Sequence, residues 1–80
     1  MIKQIYRDEF NNRYVVDNSI RDYNDDFDVE VNEDQSVILM YTDKCIIKFI
    51  RHPYSDLPLS TITDKMIDIY YELYGDVYLI

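Results

Sequence analysis

The sequence predicts a small α+β domain, and three observations support this prediction. Three segments, 27–32, 37–41 and 45–50, are rich in β-branched and aromatic residues and are separated by turn-forming residues. Further along the chain, apolar residues recur at the spacing of one helix face. Eighty residues with 48% apolar content can fill one hydrophobic core. We therefore expect a single domain over residues 1–80, with a three-stranded antiparallel meander followed by an amphipathic helix.

The first predicted strand has one apolar and one acidic face. Phe27, Val29 and Val31 alternate with polar residues, and a period of two is typical of a strand. The alternating polar residues are Asp26, Asp28, Glu30 and Asn32. Residues 33–36 and 42–44 are polar and short, and we expect them to form the turns of the meander.

A C-terminal helix is predicted by a stripe of apolar residues. The stripe consists of Ile62, Met66, Ile69, Tyr70, Leu73 and Tyr74. Ser60 or Thr61 is a suitable N-cap, and Gly75 is a suitable stop signal. Residues 76–80 are short and apolar, which predicts a terminal strand that completes the sheet or pairs with another chain. A homodimer is therefore possible.

The N-terminal segment fits two structures. Ile2, Ile5, Tyr6, Phe10 and Tyr14 match a helical stripe, which favours a helix over residues 2–12. Residues 13–17 could equally be extended.

Turns before Pro53 must form without glycine or proline, which are absent there. Asn, Asp and Ser are the remaining turn formers, and they cluster at 11–12, 17–19 and 24–26.

The charge of the chain is strongly negative. Sixteen acidic residues against eight basic ones give a net charge of -8, which repels phosphate backbones and anionic lipid surfaces. We therefore expect no direct binding of nucleic acid or membrane. The single cysteine cannot form an intramolecular disulfide, and the N-terminus has no apolar leader segment, so we expect a cytoplasmic location.

Residues that support catalysis or cofactor binding are scarce. His52 is the only histidine, and Cys45 adjoins an apolar strand, where we expect a buried thiol. One Cys and one His are too few for a zinc site, and Gly75 is the only glycine available for a phosphate loop. We expect a protein that is not an enzyme and has no cofactor.

One acidic segment resembles a calcium-binding EF-hand loop. Six residues fall at positions 1, 3, 5, 7, 9 and 12 of that loop, and they are Asp22, Asn24, Asp26, Asp28, Glu30 and Glu33. The match departs at position 6, where Phe27 replaces the usual glycine, and a strand follows instead of an exit helix. Calcium binding is thus an alternative function.

Regularly spaced carboxylates are the main candidate for function. Seven acids and no basic residue lie between positions 22 and 34. The carboxylates of the predicted strand recur about every 6.7 Å, and those of the helix recur about every 6 Å. Such rows can face lysines and arginines that otherwise hold a phosphate backbone. For the carboxylates on the helix, a role in keeping the protein soluble is a sufficient alternative explanation.

Tyrosines extend this candidate surface. Tyr23 and Tyr71 lie beside the acids and favour a role in an interface, Tyr54 is a weaker candidate, and Tyr70 and Tyr74 are expected in the core. The full set of predicted partner-binding residues is Asp22, Tyr23, Asp25, Asp26, Asp28, Glu30, Glu33, Asp34, Asp64, Asp68, Tyr71 and Glu72.

In overall profile, the chain resembles the small acidic phage-encoded DNA-mimic and host-takeover inhibitors. The resemblance lies in size, acidity, tyrosines and the two acidic rows. It implies a non-enzymatic inhibitor that occupies the DNA-binding surface of a bacterial host protein, such as an HU-type nucleoid protein or a defence nuclease. An alternative is an immunity or antitoxin protein against a basic nuclease toxin. Immunity proteins of that kind carry adjacent tyrosines, as at Tyr70 and Tyr71, but they are helical.

Overall fold

One antiparallel sheet and one helix make up the part of the chain that the structure describes, residues 3–18 and 27–75 of a computed structural model. The elements are β1 (Lys3–Arg7), β2 (Arg13–Asp17), β3 (Asp28–Val31), β4 (Val37–Tyr41), β5 (Ile46–Ile50) and α1 (Leu59–Tyr74). The strands lie in the order β1-β2-β5-β4-β3, and every neighbouring pair is antiparallel. The α+β class is confirmed, and the predicted three-stranded meander is present as β3-β4-β5, but β1 and β2 extend the sheet to five strands. The predicted strand at 76–80 lies outside the described residues.

The N-terminal segment forms a β-hairpin, so the prediction of a helix over residues 2–12 was wrong. β1 pairs with β2 along its whole length, and the extended alternative for residues 13–17 is confirmed. Tyr6 packs against the core while its neighbour Ile5 is 61% exposed, which is the alternation of a strand. The helical stripe was misleading because a period of 3.6 and a period of two agree over a few residues.

The hairpin turn is organised by the carboxylate of Asp8. It accepts hydrogen bonds from the backbone N–H groups of Phe10 and Asn12, at 2.9 and 3.0 Å, and from the Asn12 amide at 2.9 Å. The Tyr14 hydroxyl donates a fourth, at 3.2 Å. Burial alone would raise the pKa of Asp8, but these donors outweigh burial and lower it. Asn11 adopts a left-handed φ of 65°, which asparagine tolerates.

Asn12 joins this turn to the segment that precedes the helix. Its side chain is completely buried, its Nδ2 donates to the Ser55 hydroxyl at 3.0 Å, and its Oδ1 accepts the His52 backbone N–H at 2.8 Å. A buried amide must have such partners because an unsatisfied one costs about 1–3 kcal/mol. The predicted turn at 11–12 is therefore confirmed, and it also serves as a tertiary anchor.

The core lies between one face of the sheet and α1. On the sheet side it contains Tyr14, Val16, Ile38, Met40, Ile47 and Phe49, and on the helix side it contains Ile62, Met66, Ile69 and Tyr70. The Tyr14 and Phe49 rings are 5.1 Å apart at the centre of the sheet. The predicted apolar stripe of the helix therefore faces the core, as expected.

The helix ends follow the sequence signals only in part. The prediction that Ser60 or Thr61 caps the N-terminus was wrong, because the helix begins directly after Pro58 and the cap lacks a side-chain hydrogen bond. The Pro58 carbonyl instead accepts the N–H groups of Thr61 and Ile62, both at 3.1 Å. Gly75 does end the helix, and a Cβ there would lie 2.5 Å from the Tyr71 carbonyl oxygen.

Replacing Asp8 by Asn tests the hairpin turn. We expect Asp8→Asn to lower the free energy of unfolding by about 1–3 kcal/mol. The substitution removes a charged hydrogen-bond acceptor, and the new side-chain NH2 group would face N–H and O–H groups that are themselves donors. Urea unfolding at neutral pH measures this loss. Glu9→Gln, at an exposed neighbouring position, should change stability by less than about 0.5 kcal/mol.

The pH dependence provides a second measurement of the same carboxylate. Folding lowers the pKa of Asp8. The stability that its carboxylate contributes is therefore complete at pH values above the unfolded-state pKa of about 3.9, and it is lost as the pH falls through the folded-state pKa. The stability difference between wild type and Asp8→Asn should therefore shrink in acid. A difference that stays constant down to the lowest accessible pH would contradict this assignment.

Candidate partner-binding surface

The acidic strand β3 lies at one edge of the sheet, and it pairs with β4 alone among the described strands. Asp28 and Glu30 are exposed on the sheet face opposite the helix, while Val29 and Val31 alternate with them. Interaction with the nearby Glu30 carboxylate, together with burial, raises the pKa of Tyr41. Part of the predicted acidic row therefore borders an accessible edge.

The turn after β3 holds two further acids in a defined conformation. The Asp34 carboxylate accepts the Ser36 hydroxyl at 2.6 Å and the Ser36 backbone N–H at 3.0 Å, and these bonds lower the pKa of Asp34. Asn32 accepts the Val37 N–H at 3.0 Å. Gln35 closes the turn with a left-handed φ of 59°. Glu33 and Asp34 are both exposed, so the anionic edge continues into this turn.

The second acidic row lies on the outer side of α1. Asp64, Asp68 and Glu72 are exposed one helical turn apart, and the half-buried Lys65 lies between them. Burial raises the pKa of Tyr6 on β1, and the negative charge of Glu72 raises it further. The end of the helical row is therefore close to the β1 edge of the sheet.

The structure does not bring the two acidic rows together. Strands β1 and β3 are the opposite edges of the sheet, and the side chains of Asp28 and Glu30 point away from the face that α1 covers. One row therefore lies on each side of the molecule. A flat partner surface can contact one row but not both.

The tyrosines divide between the core and the surface. Tyr70 is buried and its hydroxyl donates to Asp43 at 2.6 Å, and Tyr74 packs against the core, so both core predictions are confirmed. Tyr71 is 52% exposed on the helix and Tyr54 is 92% exposed in the segment before it. Four predicted site residues, Asp22, Tyr23, Asp25 and Asp26, lie outside the described residues.

The calcium-loop register falls across a strand. Asp28 and Glu30, at its positions 7 and 9, lie in β3, where the extended backbone separates side chains instead of wrapping them around one ion. Phe27, at position 6, has a left-handed φ of 55° and stacks edge-on against Tyr70 at 5.0 Å. Within residues 3–18 and 27–75, no three His, Cys, Asp or Glu side chains form a group that could hold a metal ion.

Cys45 and His52 both have structural contacts. Cys45 is completely buried, as expected, and burial raises the pKa of its thiol. Its backbone exchanges two hydrogen bonds with the Thr42 hydroxyl, at 2.8 and 3.0 Å. The His52 Nδ1 accepts the Tyr54 backbone N–H at 3.3 Å, and the two rings lie 5.7 Å apart.

Sequence reasoning missed an aromatic cleft near the hairpin turn. It has a volume of about 290 Å³ and is lined in part by Phe10, His52 and Tyr54. Phe10 is half-exposed although it was assigned to a helical stripe. The only signal in the sequence was the position of this phenylalanine next to the turn residues 11–12.

Comparison with known proteins identifies no relative. No protein-family model, curated protein or solved structure matches this chain. Among the described residues, no helix is both long enough and apolar enough to cross a membrane. The function must therefore be inferred from the residues themselves.

Replacing Gln35 by Gly tests the turn that carries Glu33 and Asp34. A left-handed φ costs a non-glycine residue about 1–2 kcal/mol, and glycine adopts it freely at a smaller entropic cost. We expect Gln35→Gly to raise the free energy of unfolding by about 0.5–1 kcal/mol in urea unfolding. Glu33 lies in the same turn, but its φ is not positive, so Glu33→Gly should instead destabilise the protein. Equal effects of the two changes would contradict this interpretation.

The buried thiol predicts slow chemical labelling. Because Cys45 is inaccessible and its pKa is raised, Ellman's reagent should react with it only as the protein unfolds. The labelling rate should rise with urea concentration in parallel with loss of the circular dichroism signal. Rapid labelling in native buffer would show that the β4–β5 turn opens independently of the core.

Proposed function

We propose that this protein is a non-enzymatic acidic inhibitor that occupies the basic DNA-binding surface of a host protein in the bacterial cytoplasm. The observation that carries the proposal is the row of exposed acids on β3 and the turn that follows it, at one sheet edge. Seven acids and no basic residue lie between positions 22 and 34, and Glu30, Glu33 and Asp34 are exposed on β3 and its turn. Seven like charges repel one another, and this cost to folding favours a role in binding.

Competition with DNA is the proposed mechanism. Carboxylates of β3 and the turn after it (residues 28–34, the β3 segment) would pair with lysines and arginines that otherwise contact phosphates. The partner could then not hold DNA at the same time. Long-range attraction between the acidic protein and the basic partner would speed association. A basic nucleoid protein of the HU type, or a defence nuclease, has the required surface chemistry.

The geometry favours the β3 segment over the helical row as the main contact. The helical row contains Lys65 among its acids, whereas the β3 segment contains no basic residue. Asp28 and Glu30 lie on the sheet face opposite α1, so a flat partner surface contacts the β3 acids or the helical row but not both. The β3 row also continues through an ordered turn in which the carboxylate of Asp34 has a lowered pKa and stays ionised.

A second candidate function is neutralisation of a basic nuclease toxin, as an immunity or antitoxin protein. The exposed Tyr71 beside Asp68 and Glu72 favours it, because an aromatic side chain next to carboxylates can anchor a basic interface. In this case the helical row would be the main contact. A toxin gene next to the gene for this protein would support this candidate.

The test compares two variants with the same change in net charge. Glu30→Lys with Glu33→Lys alters the β3 segment, and Asp64→Lys with Asp68→Lys alters the helical row; all four positions are exposed. Affinity capture from a bacterial lysate at low salt, followed by elution with duplex DNA, supplies the partner. Displacement of labelled duplex DNA from that purified partner then measures inhibition.

We expect wild type to displace DNA, with an effect that weakens as salt is raised. The β3 variant should lose roughly tenfold or more in potency, and the helix variant should lose much less. The opposite order would support the immunity candidate. Equal losses would mean that net charge alone acts, and absence of any DNA-displaced partner would overturn the proposal.

A further inference from the structure

The aromatic cleft near the hairpin turn has exposed rings on its walls. Phe10 is 51% exposed and Tyr54 is 92% exposed, and the His52 ring lies 5.7 Å from the Tyr54 ring. The cleft has a volume of about 290 Å³, whereas pockets for small molecules usually have roughly 300–1,000 Å³. It is therefore large enough for one side chain and too small for most free ligands.

Hydrogen bonds hold the walls of this cleft in place. Asn12 bonds the His52 backbone at 2.8 Å and the Ser55 hydroxyl at 3.0 Å. Arg51 donates to the carbonyl groups of Leu57 and Ser55, at 2.9 and 3.3 Å. The segment before the helix is thus fixed to the hairpin turn on one side and to β5 on the other. Because the cleft is formed in advance, an occupant does not have to order it.

The lining of the cleft has a negative charge. Asp56 is the only acidic or basic residue among the described residues that line it, apart from His52. The His52 Nδ1 accepts the Tyr54 backbone N–H at 3.3 Å, which is the bonding of a neutral imidazole. Asp56 is exposed, and its carboxylate has neither a hydrogen bond nor an ion pair within the described parts of the chain. The cleft therefore offers one uncompensated carboxylate beside aromatic rings.

The nearest arginines in the chain point away from the cleft. The Arg51 guanidinium lies 5.4 Å from the centre of the Phe49 ring in the core, and its Nε donates to the Gln35 carbonyl at 2.9 Å. Arg13 is exposed, and its two neighbours in the chain are buried. Because side chains alternate along a strand, Arg13 lies on the sheet face away from α1. Neither cation neutralises Asp56.

A second cavity adjoins the cleft, and its charges balance. It has a volume of about 350 Å³ and shares Phe10 with the cleft. Its lining includes two basic residues, Arg7 and Lys65, and two acidic residues, Asp8 and Glu9. The charge at the cleft is therefore set by its own carboxylate, within a chain whose net charge is -8.

We propose that the aromatic cleft binds the side chain of an arginine that a protein partner carries. The guanidinium would stack on the rings of Phe10 and Tyr54 and pair with the Asp56 carboxylate. An arginine suits this site better than a lysine because its flat guanidinium stacks on aromatic faces and presents a fork of N–H donors to a carboxylate. Charge complementarity selects a cation, and the small, open cleft selects a side chain that remains attached to a larger molecule.

The cleft adjoins the turn that carries the acids of the β3 segment. The Arg51 backbone N–H donates to the Ser36 carbonyl at 2.9 Å, and its side chain bonds the Gln35 carbonyl in the same turn. A basic partner that contacts Glu33 and Asp34 can therefore also place an arginine in the cleft. The identity of this partner as a DNA-binding protein rests on the function proposed above, whereas recognition of the guanidinium does not.

Amide NMR titrations of the full chain with three capped tripeptides test the site. The central residue of the tripeptide is arginine, lysine or citrulline, the uncharged analogue of arginine. We expect the arginine peptide to cause saturable shifts at the amides of Phe10, Tyr54 and Asp56. The lysine peptide should bind at least about threefold more weakly, because it has the charge but not the planar fork. The citrulline peptide should cause no saturable shift.

Substitutions at exposed positions separate the two parts of the site. Tyr54→Leu should weaken binding of the arginine peptide about threefold, because leucine lacks the aromatic face, and Tyr54→Phe should restore it. Asp56→Asn should weaken binding about threefold to fivefold. Asp43→Asn makes the same change in net charge at the opposite end of the sheet and should leave the affinity unchanged. The amide spectrum of each variant shows whether it is folded.

Two results would overturn this proposal. One is an arginine peptide that causes no saturable shift at the cleft. The other is equal affinity for the arginine and lysine peptides together with no effect of Tyr54→Leu, which would mean that only the net charge attracts them. Because the probes are isolated peptides, these results do not depend on whether a DNA-displaced partner exists.

Discussion

The partly buried contact between Asp8 and Asn12 is the interaction on which most of this fold depends. Asp8 shapes the hairpin turn, and Asn12 connects that turn to the His52 backbone and the Ser55 side chain. Through these bonds the N-terminal hairpin is attached to the segment that leads into α1. Because Asn12 is completely buried, each of its hydrogen bonds must be present for the contact to be favourable.

The turns of this chain show how a fold forms with almost no glycine. Asn11, Phe27 and Gln35 take the left-handed backbone conformation that glycine usually supplies. Side-chain acceptors compensate at two of the turns, where Asp8 and Asp34 bind backbone N–H groups. These carboxylates have lowered pKa values, so part of the acidity of the protein stabilises its own loops. The exposed acids without such a structural role, such as Glu30 and Glu33, are the better candidates for binding.

The position of α1 determines which surfaces remain available to partners. The helix covers one face of the five-stranded sheet, whereas Asp28 and Glu30 of β3 lie on the other face. Among the described residues, the acids therefore lie on two surfaces of different composition: the β3 edge, where no basic residue adjoins them in the chain, and the helical side, which also carries Lys65.

The sequence by itself determined the elements whose periodicity is local. Alternation from Phe27 to Val31, the apolar runs of β4 and β5, the helical stripe from Ile62 to Tyr74 and the stop at Gly75 all predicted the observed elements, because each pattern lies within one segment. The clustering of acids was equally evident. These features depend on near neighbours in the chain, and so they could be predicted without the fold.

Only the tertiary structure decided the N-terminal hairpin, the strand order and the separation of the two acidic rows. Residues 2–12 match two periods, and the choice between them comes from pairing with β2 and from the buried contacts of Tyr14 and Asn12. The pairing of β2 with β5 joins residues 29 to 37 positions apart, and no local pattern encodes that contact. Which acids share a surface follows from this pairing, because strand order sets the edge on which each charge lies.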